Sequence, residues 1–140
     1  MTTESQHGAI AKSIWLNAAL ISRQLDNSLG AIHGIGLSEY MVLLNLLEAP
    51  NQALRRIDVA EALARSASGI TRMLMPMEKT GLISKATNER DARVSLVKLT
   101  PAGEELCRNA SATLDAKAES LLRNLDEKDA SVLLKLLHAI

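Results

Sequence analysis

Phenylalanine is absent from this 140-residue chain, and it holds one tryptophan, Trp15, and one tyrosine, Tyr40. Sheet-rich cores draw heavily on aromatic side chains, so a core left to Leu, Ile, Val, Ala and Met favours helix-on-helix packing. The single cysteine, Cys107, excludes an intramolecular disulfide framework. The longest stretch free of Asp, Glu, Lys and Arg, Asn27 to Ser38, is 12 residues long and contains Gly30, Gly34 and Gly36, too short and too broken to span a bilayer. Glu4 and the lack of a basic-plus-apolar start argue against a secretory leader, so a cytoplasmic protein is expected. No phosphate loop, nucleophile–base pair or paired catalytic carboxylate stands out, so neither an enzyme nor a cofactor is expected. His7, His33 and His138 are widely separated, without Cys or His at ligand spacing, which speaks against a metal site.

What is present suits one folded domain over residues 1–140: 47% apolar and 23% charged residues. Net charge is zero but unevenly spread. From Arg55 to Lys98 there are nine basic and five acidic residues, a net +4, whereas the rest holds seven basic and 11 acidic, a net −4. A basic middle between acidic ends suggests an anionic partner for the middle.

Periodicity orders the elements. Ile10, Ile14, Ala18, Ile21, Leu25 and Leu29 recur every three or four positions and predict a first helix, ended by the glycine-rich GAIHGIG. Ser38 is the expected N-cap of a second helix that stops before Pro50. Ala53, Leu54 and Arg55 form a candidate short strand before a short helix with Val59, Ala60 and Leu63 inward. In the next helix Ile70, Leu74 and Met77 share one face, and Ser68, Thr71, Arg72, Met75 and Lys79 lie opposite. Gly81 suits its C′ position, and Pro76 should bend or loosen its last turn. LISKAT and VSLVKL read as a β-hairpin around Glu89, Arg90, Asp91 and Arg93. Thr100, with Pro101 behind it, caps a helix expected to reach about Leu125. Asp126 caps a last helix carrying Val132, Leu133, Leu136, Leu137 and Ile140.

Two helices joined by a tight turn, with small and basic residues exposed on the second, fit a helix-turn-helix. Ser66, Ser68 and Gly69 permit close approach and offer backbone N–H groups to a phosphate. Arg72 can present a bidentate fork to guanine. Arg56, Lys85 and Arg90 add positive charge to the same half of the chain. A carboxylate beside DNA is unfavourable unless it organises a guanidinium, and Asp91 stands two residues from Arg93. The hairpin is thus expected to present Arg93, steered by Asp91, to a minor groove.

The segment SGITRMLMPMEKTGLISKATNERDARVSLVKLTPAG resembles the core signature of the MarR-type winged-helix transcriptional regulators. That signature has a T-R-x-L-x-x-x-E-x-x-G-L recognition helix, a D-x-R wing and an L-T-x-x-G segment. The resemblance covers Leu37 to about Leu106. It implies a mainly α fold with a small β-hairpin wing: a winged helix-turn-helix over 37–100, flanked by dimerisation helices at 5–32 and 101–140. It places Ser68, Thr71 and Arg72 on the recognition helix, Asp91 and Arg93 at the wing tip, and Lys85 on a wing strand near the DNA backbone. Ala92 stands where the family often has a middle Arg, which removes one phosphate contact. The implied function is sequence-specific double-stranded DNA binding by a homodimeric repressor, released by a small aromatic acid. Trp15 and Tyr40 are candidates to line the effector pocket, or simply core. Some relatives sense oxidants through a cysteine in the first helix; none stands there in this chain, and Cys107 reads as a packing residue. The rival readings are a winged helix used for protein–protein contact and a metal- or redox-responsive regulator.

Overall fold

The computed structural model describes Thr3 and residues 5–140; Glu4, used above against a leader, lies outside the described residues. Helix α1 (Gln6–His33) begins where the Ser5 hydroxyl accepts from the Gly8 amide and ends at Gly34, whose φ of 71° closes it in the left-handed region. Helix α2 (Leu37–Glu48) starts two residues earlier than a Ser38 cap would place it, because its N-cap is Gly36. Glycine has no side chain to satisfy the first amides, and other groups do so instead. The Asp26 carboxylate of α1 accepts from Leu37 N at 2.6 Å, and Glu39 accepts from Gly36 N at 3.1 Å. Ser38 lies in the first turn and accepts from Arg65 at 2.8 Å.

After a 3₁₀ turn (Pro50–Gln52), β1 (Ala53–Arg55) leads into α3 (Arg56–Ala62), α4 (Ala67–Lys79), β2 (Ile83–Thr87) and β3 (Ser95–Leu99). The expected short strand exists and enlarges the hairpin to a three-stranded antiparallel sheet in the order β1-β3-β2. Leu54 pairs with Val97, and Ile83 with Leu99, so the base of the wing is locked to the core by apolar side chains. Helix α4 runs through Pro76 to Lys79 as one helix, with Pro76 on its exposed side. Gly81, at φ 80°, follows, and Leu82 N donates to Met77 O in a Schellman closure.

Helix α5 (Pro101–Leu121) is capped by Thr100, as its motif implies. It ends four residues short of Leu125, which falls in the turn that precedes α6 (Glu127–His138). Leu121 and Leu125 keep helical spacing, but Asp126 must be extended to cap α6 through Asp129 N at 2.7 Å, and apolar spacing does not encode that requirement. Gly103 explains the last position of the L-T-x-x-G motif. A Cβ there would overlap the Leu82 carbonyl oxygen and press on Leu99, so α5 can meet the start of β2 this closely only through glycine.

The core lies around α2. Val42, Leu43 and Leu46 are fully buried against Leu29, Val59, Ile70, Leu74, Met77, Cys107 and Ala110. The ends differ. No residue of α6 is buried, and Ile10, Ile14, Trp15, Leu16 and Leu20 of α1 are exposed. No single helix among the described residues is long and apolar enough to cross a membrane.

Candidate nucleic-acid interface

The turn between α3 and α4 is built on strain. Ala64 sits at φ 52°, where a Cβ is unfavourable, while Arg65 N reaches back to Ala60 O at 2.9 Å. This closure reverses the chain within a few residues and places Ser66 as the N-cap of α4. The Ser66 hydroxyl accepts from Gly69 N at 3.1 Å and lies 3.4 Å from the Ser68 hydroxyl. Arg65, absent from the expected site, donates to Ser38 and ties this turn to the first turn of α2. Its role depends on a partner 27 residues away in sequence, so no local pattern could reveal it.

Helix α4 divides cleanly. Ile70, Leu74 and Met77 face the core, and Ser68, Thr71, Arg72, Met75 and Lys79 are all exposed. Ser66 is exposed beside them and Gly69 is half-buried. Arg56, at the start of α3, reaches Thr71 with Nη1 at 3.4 Å from the hydroxyl, a long contact that brings a second guanidinium to the α4 face. Arg55, one residue earlier, is instead paired with Asp58 at 2.9 Å. Its guanidinium holds the Asp58 carboxyl below the ordinary carboxylate range.

The wing tip is organised by two carbonyl-bearing side chains. Asn88 Oδ1 accepts from Arg90 N at 2.9 Å, an Asx turn of the kind that Asn commonly forms. Asp91 Oδ1 accepts from both the backbone N (3.0 Å) and Nε (3.1 Å) of Arg93. The carboxylate therefore fixes the arginine's backbone and aims its guanidinium, as the Asp-x-Arg spacing implied. Side-chain and backbone donation from Arg93 hold the Asp91 carboxyl below its usual value. Arg93 itself remains 90% exposed along its side chain. Arg90 is exposed at the same tip, and Lys85 is exposed on β2 opposite Val97.

Trp15 and Tyr40, the candidate effector-pocket residues, differ in exposure. Tyr40 is buried, and its hydroxyl sits 2.7 Å from Ser111 Oγ; burial pushes its pKa up, partly offset by that hydrogen bond. Trp15 is 72% exposed on α1. At helical rise it lies about 27 Å along the axis from His33, the end at which α2 begins. Cys107 is fully buried, and burial raises its thiol pKa, which suits a packing residue. Among the described residues no group of three His, Cys, Asp or Glu side chains is placed to hold a metal ion.

Residues 35–95 match the family model described as MarR family. A relative from Escherichia coli, the HTH-type transcriptional regulator PrsX, is 35% identical over 79 residues, 56% of this chain. The matched region is 47% of PrsX, so the chain spans about half the length of that curated relative. Among solved structures, AbsC, a MarR family transcriptional regulator from Streptomyces coelicolor, superposes with a TM-score of 0.83 at 25% identity, covering 98% of this chain and 93% of AbsC. Sco3205, a MarR family regulator from the same organism solved in complex with DNA, shares the fold with a TM-score of 0.85 at 19% identity, covering 99% of this chain and 89% of its own. The chain thus carries a winged core similar to that of the MarR family over residues 35–95 and shares the fold of solved MarR family regulators along almost its whole length.

Proposed function

We propose that this chain is a homodimeric repressor that binds a specific double-stranded DNA operator in the cytoplasm. One observation carries the reading: the exposed stripe Ser68–Thr71–Arg72–Met75–Lys79 stands on the same winged core as an arginine held in place by its own carboxylate. In the proposed complex α4 enters the major groove, with Arg72 hydrogen-bonding a base edge and Ser66, Ser68 and Gly69 close to the backbone. Arg93 enters the adjacent minor groove, and Arg56, Lys79, Lys85 and Arg90 meet phosphates. Sco3205 was solved with DNA, which supports carrying this mode to a chain of the same fold.

The bare ends support the dimer. Exposed Ile10, Ile14, Leu16 and Leu20 of α1, with Leu133, Leu136 and Leu137 of α6, leave apolar surface that a second copy would cover. Two copies would present two α4 helices to successive half-sites, and occupancy of promoter DNA would repress. Release by a small acid belongs to the same proposal. An open cleft of ≈ 510 Å³ between α1 and α5 includes Ile32 and Lys117, an apolar wall and an ammonium suited to a carboxylate; neither Trp15 nor Tyr40 lines it.

Selection of duplexes from random sequence tests the function. The full chain should enrich one sequence class, and Arg72→Ala and Arg93→Ala chains should lose it while melting normally. Enrichment of no class, or equal enrichment by all three proteins, would overturn DNA recognition by these residues.

A further inference from the structure

Helix α4 carries one residue that neither its core nor its charge explains. Ile70, Leu74 and Met77 already fill the buried face, yet Met75 stands 53% exposed on the opposite side, among Thr71, Arg72 and Lys79. It is the one large apolar side chain exposed on α4. A flexible thioether on an otherwise polar stripe needs a partner that offers an apolar group within negative surroundings. In the major groove only one base edge does so: the 5-methyl group of thymine, flanked by phosphates that suit Arg72 and Lys79.

We propose that Met75 is a specificity-determining residue that reads a thymine methyl in the operator. The inference rests on recognition of DNA by α4. Met75 follows Arg72 by three residues, a rise of about 4.5 Å along the helix, so its thymine should lie within about two base pairs of the base that Arg72 reads. Met75 lies outside the core, so its replacement should leave folding intact.

The decisive experiment replaces single thymines by uracil in a selected duplex, which deletes the methyl and keeps every hydrogen-bonding group. For wild type, uracil at one thymine in each half-site should weaken binding about fourfold, the worth of one buried methyl-sized group. The Met75→Ala chain should bind the thymine duplex more weakly and lose nothing further with uracil. Met75→Leu should keep the discrimination, and Met75→Gln, of similar length but polar, should lose it. An equal uracil penalty in wild type and Met75→Ala, or no penalty at any thymine, overturns the inference while leaving DNA binding established. That result would point to an apolar protein contact at this face instead. Failure to enrich any duplex would remove the DNA-binding reading itself, and this inference with it.

Discussion

Helices α4 and α6 are nearly equal in length, 13 and 12 residues, and both are amphipathic, yet they use their apolar faces in opposite ways. Helix α4 buries Ile70, Leu74 and Met77 inside its own chain and leaves a polar stripe outward. Helix α6 buries nothing, although Val132, Leu133, Leu136 and Leu137 are as apolar. The same 3.6-residue period therefore specifies a helix with one apolar face, but not whether that face meets the same chain or another. What distinguishes them is position. Helix α4 lies between α3 and the sheet, which supply a core, whereas α6 follows a turn that carries it away from that core.

The largest effect should come from removing α6. Truncation after Leu125 deletes Val132, Leu133, Leu136, Leu137 and Ile140, each worth about 1.5–3 kcal/mol when fully buried. That total rivals the whole stability of a typical domain, about 5–15 kcal/mol. The truncated chain should sediment as a monomer or fail to fold. A stable truncated dimer would mean that α6 lies outside the interface.

On the α4 side, the wing gives the next effect. Arg93→Ala should weaken operator binding by about 1–3 kcal/mol, roughly tenfold or more. Lys98→Ala, on β3 rather than at the tip, should cost clearly less. Equal small losses at fixed salt would show that the tip does not enter a groove. The pH response follows from Asp91, whose carboxyl is held low by Arg93. A carboxylate with a depressed folded pKa keeps its contribution above the unfolded value, near 3.9, and loses it only as pH falls through the lower folded value. Binding should thus show no Asp91-dependent change between about pH 5 and 8 in a comparison of wild type with Asp91→Asn. A loss of affinity with a midpoint in that range, absent from the variant, would contradict the pairing.

Gly103→Ala tests how α5 is seated beneath the wing. The added methyl meets the Leu82 carbonyl, so the melt should shift down by about 1–3 kcal/mol of stability, as overpacking commonly does. An unchanged or raised melting temperature would show that α5 can slide off at no cost. Ala64→Gly should act in the opposite direction and least. Glycine relieves the left-handed backbone of the turn, worth about 0.5–1 kcal/mol of added stability in a thermal melt. A destabilised Ala64→Gly chain would mean that the turn is held by the alanine methyl rather than in spite of it.

Much of the winged core was legible because its signals are local. The α4 stripes, the Thr100 and Asp126 caps, Gly81 and the Asp91–Arg93 spacing each fall within a few residues of their partners. Features that depend on distant partners were not legible. The second helix begins at Leu37 under the Asp26 carboxylate rather than at a Ser38 cap, and Arg65 reaches Ser38 at the surface, 27 residues away in sequence. The close approach of Gly103 to Leu82 likewise joins elements 21 residues apart, and only the packed fold shows why that glycine is there. The stop of α5 at Leu121 is of the same kind.

One measurement bears most directly on the contrast between a self-contained winged core and unpartnered ends. Sedimentation equilibrium of the full chain, alone and with a labelled selected duplex, reads both faces in one preparation. Two chains per particle without DNA, and two chains per duplex with it, is the expected result. A chain that stays monomeric at micromolar concentration and binds the duplex singly would contradict it, because the apolar faces of α1 and α6 would then have no partner in the active species.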